Sequence, residues 1–113
     1  MLVNQQAVSF SGSTDSAAID ANLVFGVEIP ASFGVTSLSF LSCRTKTGTF
    51  LPVVDEDGAA VSFTTSSTAA QAIDLSNIFP LMLSKQNKGL PLYIKFQAGS
   101  SITKDIIIYT GGV

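Results

Sequence analysis

Histidine and tryptophan are absent from this chain, and cysteine occurs once. Without an imidazole there is no base for Ser-His-Asp or Cys-His nucleophilic catalysis and no nitrogen ligand for zinc. The single Cys43 allows neither an intramolecular disulfide nor a thiolate metal site. It lies inside an apolar run, where it reads as a small buried hydrophobe rather than a reactive thiol. Nothing marks an oxidising compartment. Charge is scarce as well: 12% of residues are charged, against about 25% in an average soluble chain. Eight acidic and six basic residues leave a net charge of −2. Arg44 lies near Lys46 and Lys85 near Lys88, but no basic run or stripe exists. Phosphate neutralisation therefore has no footprint, and nucleic acid is not an expected partner. A basic membrane-surface helix is missing, and no stretch approaches the ~20 apolar residues of a membrane span. The opening MLVNQQAVSF has no charged start and no sustained apolar core, so no signal peptide is expected and synthesis is placed in the cytoplasm.

What the chain does contain is apolar residues, 46% of a total of 113. That length suits one domain, residues 1–113, with its own core. So little charge over so apolar a composition implies surface covered by a partner or by further copies of the chain.

The clearest local pattern is Gly48 to Phe63, GTFLPVVDEDGAAVSF. Two apolar runs flank Asp55-Glu56-Asp57-Gly58, the signature of a β-hairpin whose glycine supplies a positive φ. Each flank is expected to be a strand, with Pro52 pointing to an edge or a bulge. Earlier, Gln6–Ser11 is a candidate first strand. Asn22–Ile29 alternates, with Leu23, Phe25, Val27 and Ile29 on one face and Val24, Gly26 and Glu28 on the other. Pro30 ends it. Thr36–Cys43 places Leu38 and Phe40 opposite Leu41 and Cys43. Later come a short strand at Gln71–Asp74 and one or two helical turns within Leu75–Ser84, limited by Pro80. A strand over Leu92–Phe96, a turn at Ala98–Ser101 and a last strand at Ile102–Thr110 follow. Ile106-Ile107-Ile108 is apolar on both faces, which marks a central or covered strand. The sum is an all-β antiparallel β-sandwich of seven or eight strands, jelly-roll or immunoglobulin-like, with at most one short helical segment.

Chemistry has few places to reside. Asp55, Glu56 and Asp57 sit on a solvated turn, a poor setting for the burial that tunes catalytic carboxylates. Asp55 and Asp57 are the metal-ligand candidates, for calcium, but the spacing is not that of an EF-hand loop. The preferred reading is a solubilising acidic turn, with no catalytic residues and no cofactor. Glu28 and Lys95 are expected to face solvent or to pair across a sheet. Glycan binding by a β-sandwich calls for exposed aromatic platforms. Here only Tyr93 and Tyr109 are tyrosines, and the eight phenylalanines read mostly as core.

The segments LVFGVEIPASF, TSLSFLSC, GTFLPVVDEDGAAV, AIDLSNIF and LYIKFQAGS, in this order, resemble a recurrent pattern of small all-β virion structural proteins of tailed bacteriophages. They cover Leu23 to Ser101. The chain departs from that pattern at Arg44–Gly48, where an acidic-glycine turn is usual, and at Phe79–Leu90, which is longer. The resemblance implies a capsid decoration or cement protein on the virion's capsid surface, without enzymatic activity. Its implied partners are the major capsid protein and copies of itself, as a trimer. Contact regions are expected at Met1–Gln6, Ser11–Ala17 and Phe79–Leu90, with Leu2, Val3, Phe79, Leu81 and Met82 as interface candidates. The alternative is a tail, neck or fibre-associated module that recognises a host glycan.

Overall fold

A computed structural model describes residues 2–20, 24–75 and 93–112. Ten strand segments appear in order: β1 (Leu2–Ser9), β2 (Ser13–Asp15), β3 (Ile19–Asp20), β4 (Val24–Ile29), β5 (Ser37–Cys43), β6 (Leu51–Pro52), β7 (Ser62–Thr64), β8 (Gln71–Asp74), β9 (Tyr93–Ile102) and β10 (Asp105–Gly112). Among the described residues there is no helix, and so none long and apolar enough to cross a membrane. The helical turns expected after Leu75 lie outside the described residues.

All pairings are antiparallel. One sheet runs β1-β10-β4-β8; the other runs β2-β9-β5-β6, with β3 also on β9 and β7 also on β5. The two sheets share one core. Val8, Val27, Ile29, Ile106 and Ile108 enter it from the first sheet, and Leu38, Phe40, Ile94 and Phe96 from the second. Phe40 faces Phe96 in register, with ring centroids 5.4 Å apart, and Phe63 lies 5.6 Å from the first and 6.3 Å from the second. Such aromatic pairs add about 0.5–1.5 kcal/mol each beyond the area they bury. As its triple isoleucine predicts, β10 is interior to its sheet, with Ile106 and Ile108 fully buried and Ile107 half-buried on the other face.

The hairpin differs from expectation. Its tip forms as expected, with Gly58 at φ +84°. Its arms, however, do not pair with each other along their length. β6 lies opposite Leu41 and Ser42, and β7 opposite Ser37 to Ser39, so both line the same side of β5 end to end. Between them the chain leaves the sheet and closes on itself through the Val54–Ala60 bridge and the bonds Asp55 N–H to Ala59 O (2.8 Å) and Val61 N–H to Val53 O (3.0 Å). Pro52 stays in β6 opposite Leu41, on an outer strand where a residue without an N–H is tolerated. A charged tip cannot enter a ladder, and the excursion after Val53 carries it out.

β2 and β3 repeat this device along β9, on the side away from β5. In the gap, Ser16 N–H donates to Phe96 O (2.8 Å) and the Ser16 hydroxyl accepts from Phe96 N–H (2.9 Å). The hydroxyl stands in for a backbone carbonyl, which is how a buried serine is tolerated here. The turn expected at Ala98–Ser101 is instead strand, because Gly12 and Ser13 extend the pairing of β9 to Ile102. The reversal falls at Thr103-Lys104.

β4 also departs from simple alternation. Tyr109 pairs with Gly26 and Thr110 with Val24, so Phe25 is an extra residue, a β-bulge. The bulge shifts the phase of the strand. Val24 joins Val27 and Ile29 in the core, while Phe25 is only half-buried.

Candidate functional site

The bulge builds a site on the outer face of the β1-β10-β4-β8 sheet. Tyr109 stands directly across from Gly26, where a Cβ would meet Tyr109 Cδ2 at 3.4 Å and the Ile73 carbonyl oxygen at 3.2 Å. Glycine therefore lets the tyrosine ring lie close over the neighbouring strand. Phe25, displaced by the bulge, brings its ring to 6.4 Å from that of Tyr109, with the planes 29° apart. The Tyr109 hydroxyl donates a hydrogen bond to the Glu28 carboxylate. That bond, then partial burial, then the nearby negative charge hold the phenol above its ordinary value near 10. Beside the rings lies an open groove of about 420 Å³, lined by Phe25, Gly26, Ala72, Ile73, Asp74 and Tyr109. Aromatic faces next to carboxylates suit a flat, partly apolar ligand bearing hydroxyl donors.

This site was only partly legible. The sequence offers Tyr93 and Tyr109 as its two tyrosines without marking either as a platform. Alternation over Asn22–Ile29 puts Phe25 on the core face; the structure corrects that, because the bulge arises from pairing with β10 and leaves no local trace. Glu28 does face solvent, but it does not meet Lys95. The two lie on different sheets, and Lys95 Nζ sits 4.6 Å above the centre of the Phe50 ring.

Asp55 and Asp57 remain at the hairpin tip, exposed. Asp55 Oδ1 accepts the backbone N–H groups of Asp57 (2.9 Å) and Ala59 (3.0 Å), so this carboxylate closes its own turn. Among the described residues, no three histidine, cysteine or acidic side chains come together as a metal site. Leu2 and Val3 pair in register with Gly112 and Gly111. Phe79, Leu81 and Met82 lie outside the described residues.

Cys43 is half-buried rather than buried. Its sulfur lies 3.6 Å from the Thr45 hydroxyl. The Thr45 backbone N–H, first, and that hydroxyl then lower the thiol's pKa. The thiol tucks under Gly48, where a Cβ would come within 2.7 Å of the sulfur. Among the described residues, Leu51 and Val54, either side of buried Val53, are the large apolar side chains left exposed, at 63% and 51%.

No protein-family model matches the chain, and neither the curated proteins nor the solved structures yielded a match.

Proposed function

We propose that this chain is a non-enzymatic virion structural protein, a capsid decoration or cement protein that stabilises a tailed-phage head by bridging capsid subunits. The observation that carries the reading is the strand order. With β2 and β3 counted as one interrupted edge, and β6 and β7 as another, the described residues form eight lines in two sheets. The first, second and third lie in different sheets by turns, and each sheet interleaves early and late strands. That order is consistent with a jelly-roll β-sandwich, an architecture used by viral capsid and lectin domains. The resemblance carried by Leu23 to Ser101 then favours the capsid among those uses. Exposed Leu51 and Val54 fit a protein that covers apolar surface by assembly. Many repeated modest contacts give high avidity on a lattice without any chemistry. The test is sedimentation of purified protein with and without empty capsid shells. Co-sedimentation at micromolar concentration is expected; protein left wholly in the supernatant would sink the proposal.

A second reading has one observation in its favour, the groove beside Phe25 and Tyr109. A lectin-like module on a tail, neck or fibre would stack a pyranose ring on such a platform, with its hydroxyls donating to nearby carboxylates. Titration with neutral saccharides, monitored by tyrosine fluorescence, tests it. Saturable binding lost in Tyr109→Ala supports the module, and a flat response at millimolar saccharide removes it.

A further inference from the structure

We propose that two copies of this chain pair through β1, antiparallel about a two-fold axis that passes beside Gln5. β1 is an edge strand, bonded to β10 along one side and in unbroken register from Leu2↔Gly112 to Ser9↔Asp105. Its direction of bonding can be read from its end. Phe10 N–H donates to Lys104 O, on the β10 side, whereas Ser9 O accepts from Ala17 N–H, on the opposite side. Backbone groups alternate sides along a strand. The even-numbered residues of β1 therefore bond β10, and the N–H and C=O of Val3, Gln5 and Ala7 point away from it. Among the described residues no backbone group meets these six.

Proteins normally protect such an edge with charge, proline, a bulge or brevity. The other three edges show these devices. β8 is four residues long and ends in Asp74. β2 and β3 are interrupted at Ser16 and carry Asp15 and Asp20. β6 and β7 are interrupted by the hairpin excursion and contain Pro52. β1, LVNQQAVS, has eight residues with no charge, no proline and no register shift. Among the described edges it is the long unprotected one, so the strand on this molecule able to match it is β1 of a second copy.

The fit is specific in register. The free groups of residues 3, 5 and 7 are symmetric about Gln5. Placing Gln5 opposite Gln5 puts Val3 opposite Ala7 twice, and all six groups of each chain find partners in one antiparallel ladder. No like charges face each other, since the strand carries none. The two four-stranded sheets become one continuous sheet across the pair. This inference does not rest on the capsid reading. A two-fold contact closes after two copies, so it is a different contact from the three-fold one that the phage resemblance implies, and shell binding is measured independently of it.

The experiment is sedimentation equilibrium of the full chain over a concentration series, on the wild type and on Gln5→Lys and Gln5→Glu. Residue 5 lies on the exposed strand face, so neither charge burdens the core. Each single variant is expected to weaken association at least tenfold, because identical charges meet across the axis. An equimolar mixture of the two variants is expected to recover dimer, because opposite charges then meet. Unchanged circular dichroism in each variant shows that the fold is retained. A wild type that is monomeric throughout, or trimeric, overturns the proposal. So do variants that associate like the wild type, or a mixture that stays as weak as its components.

Discussion

Gly26 is the residue on which the outer groove depends. Its missing side chain leaves room for the Tyr109 ring, and two neighbours stand at 3.2 and 3.4 Å from where a Cβ would lie. One of these is a backbone oxygen, which cannot swing away. Gly26→Val is expected to lower stability by about 1–3 kcal/mol, the usual cost of overpacking. Chemical denaturation measures the loss, and the near-ultraviolet signal of Tyr109 should change with it. Tyr109 itself makes a pH prediction. Its folded-state pKa is raised by the bond to Glu28, so the neutral phenol is favoured in the folded chain. The stability it contributes is whole below about pH 10 and is lost as pH rises through the folded value. Tyr109→Phe is expected to remove that alkaline decline. Urea midpoints compared between neutral and alkaline pH read the difference, and parallel curves for the two proteins would contradict it.

At the scale of elements, the same solution occurs twice. An outer strand follows its neighbour, is interrupted, and resumes on the same side. In the β6–β7 edge the excursion is held by Asp55, whose Oδ1 accepts two backbone N–H groups. Asp55→Ala should cost about 1 kcal/mol, in the range of a lost cap or a charge-assisted bond on the surface. Asp55→Asn keeps an acceptor oxygen and should recover most of that loss. Equal destabilisation by both would mean that charge, not turn geometry, is what the position supplies. The alanine variant should leave β5 and β9 intact, since the Phe40–Phe63–Phe96 cluster beneath does not depend on the tip.

For the whole molecule, association and stability are linked. A partner that binds only the folded chain raises its stability by mass action. If β1 pairs with β1, the melting temperature rises with protein concentration, and Gln5→Lys flattens the dependence. Calorimetry across a hundredfold dilution measures this; a concentration-independent melting temperature for the wild type would argue for an isolated monomer. Capsid binding makes a separate demand. A chain held on a shell through several surfaces should release over a narrow range of conditions, because the contacts act together.

The sequence by itself determined the all-β class, the core alternation of Leu38 with Phe40 and of Ile94 with Phe96, the interior place of β10 and the glycine turn at Gly58. These follow from local periodicity and turn chemistry, which each segment carries alone. Only the tertiary structure decided the rest. The flanks of the hairpin line up along β5, β9 runs on to Ile102, Phe25 turns outward beside Tyr109, and the outward backbone groups of Val3, Gln5 and Ala7 in β1 meet no partner among the described residues. Each of these is a matter of which strand lies next to which, and cross-strand register joins residues far apart in the chain. Glu28 and Tyr109 are 81 positions apart. A period of two says that a residue alternates, but only the partner strand says which side it lands on.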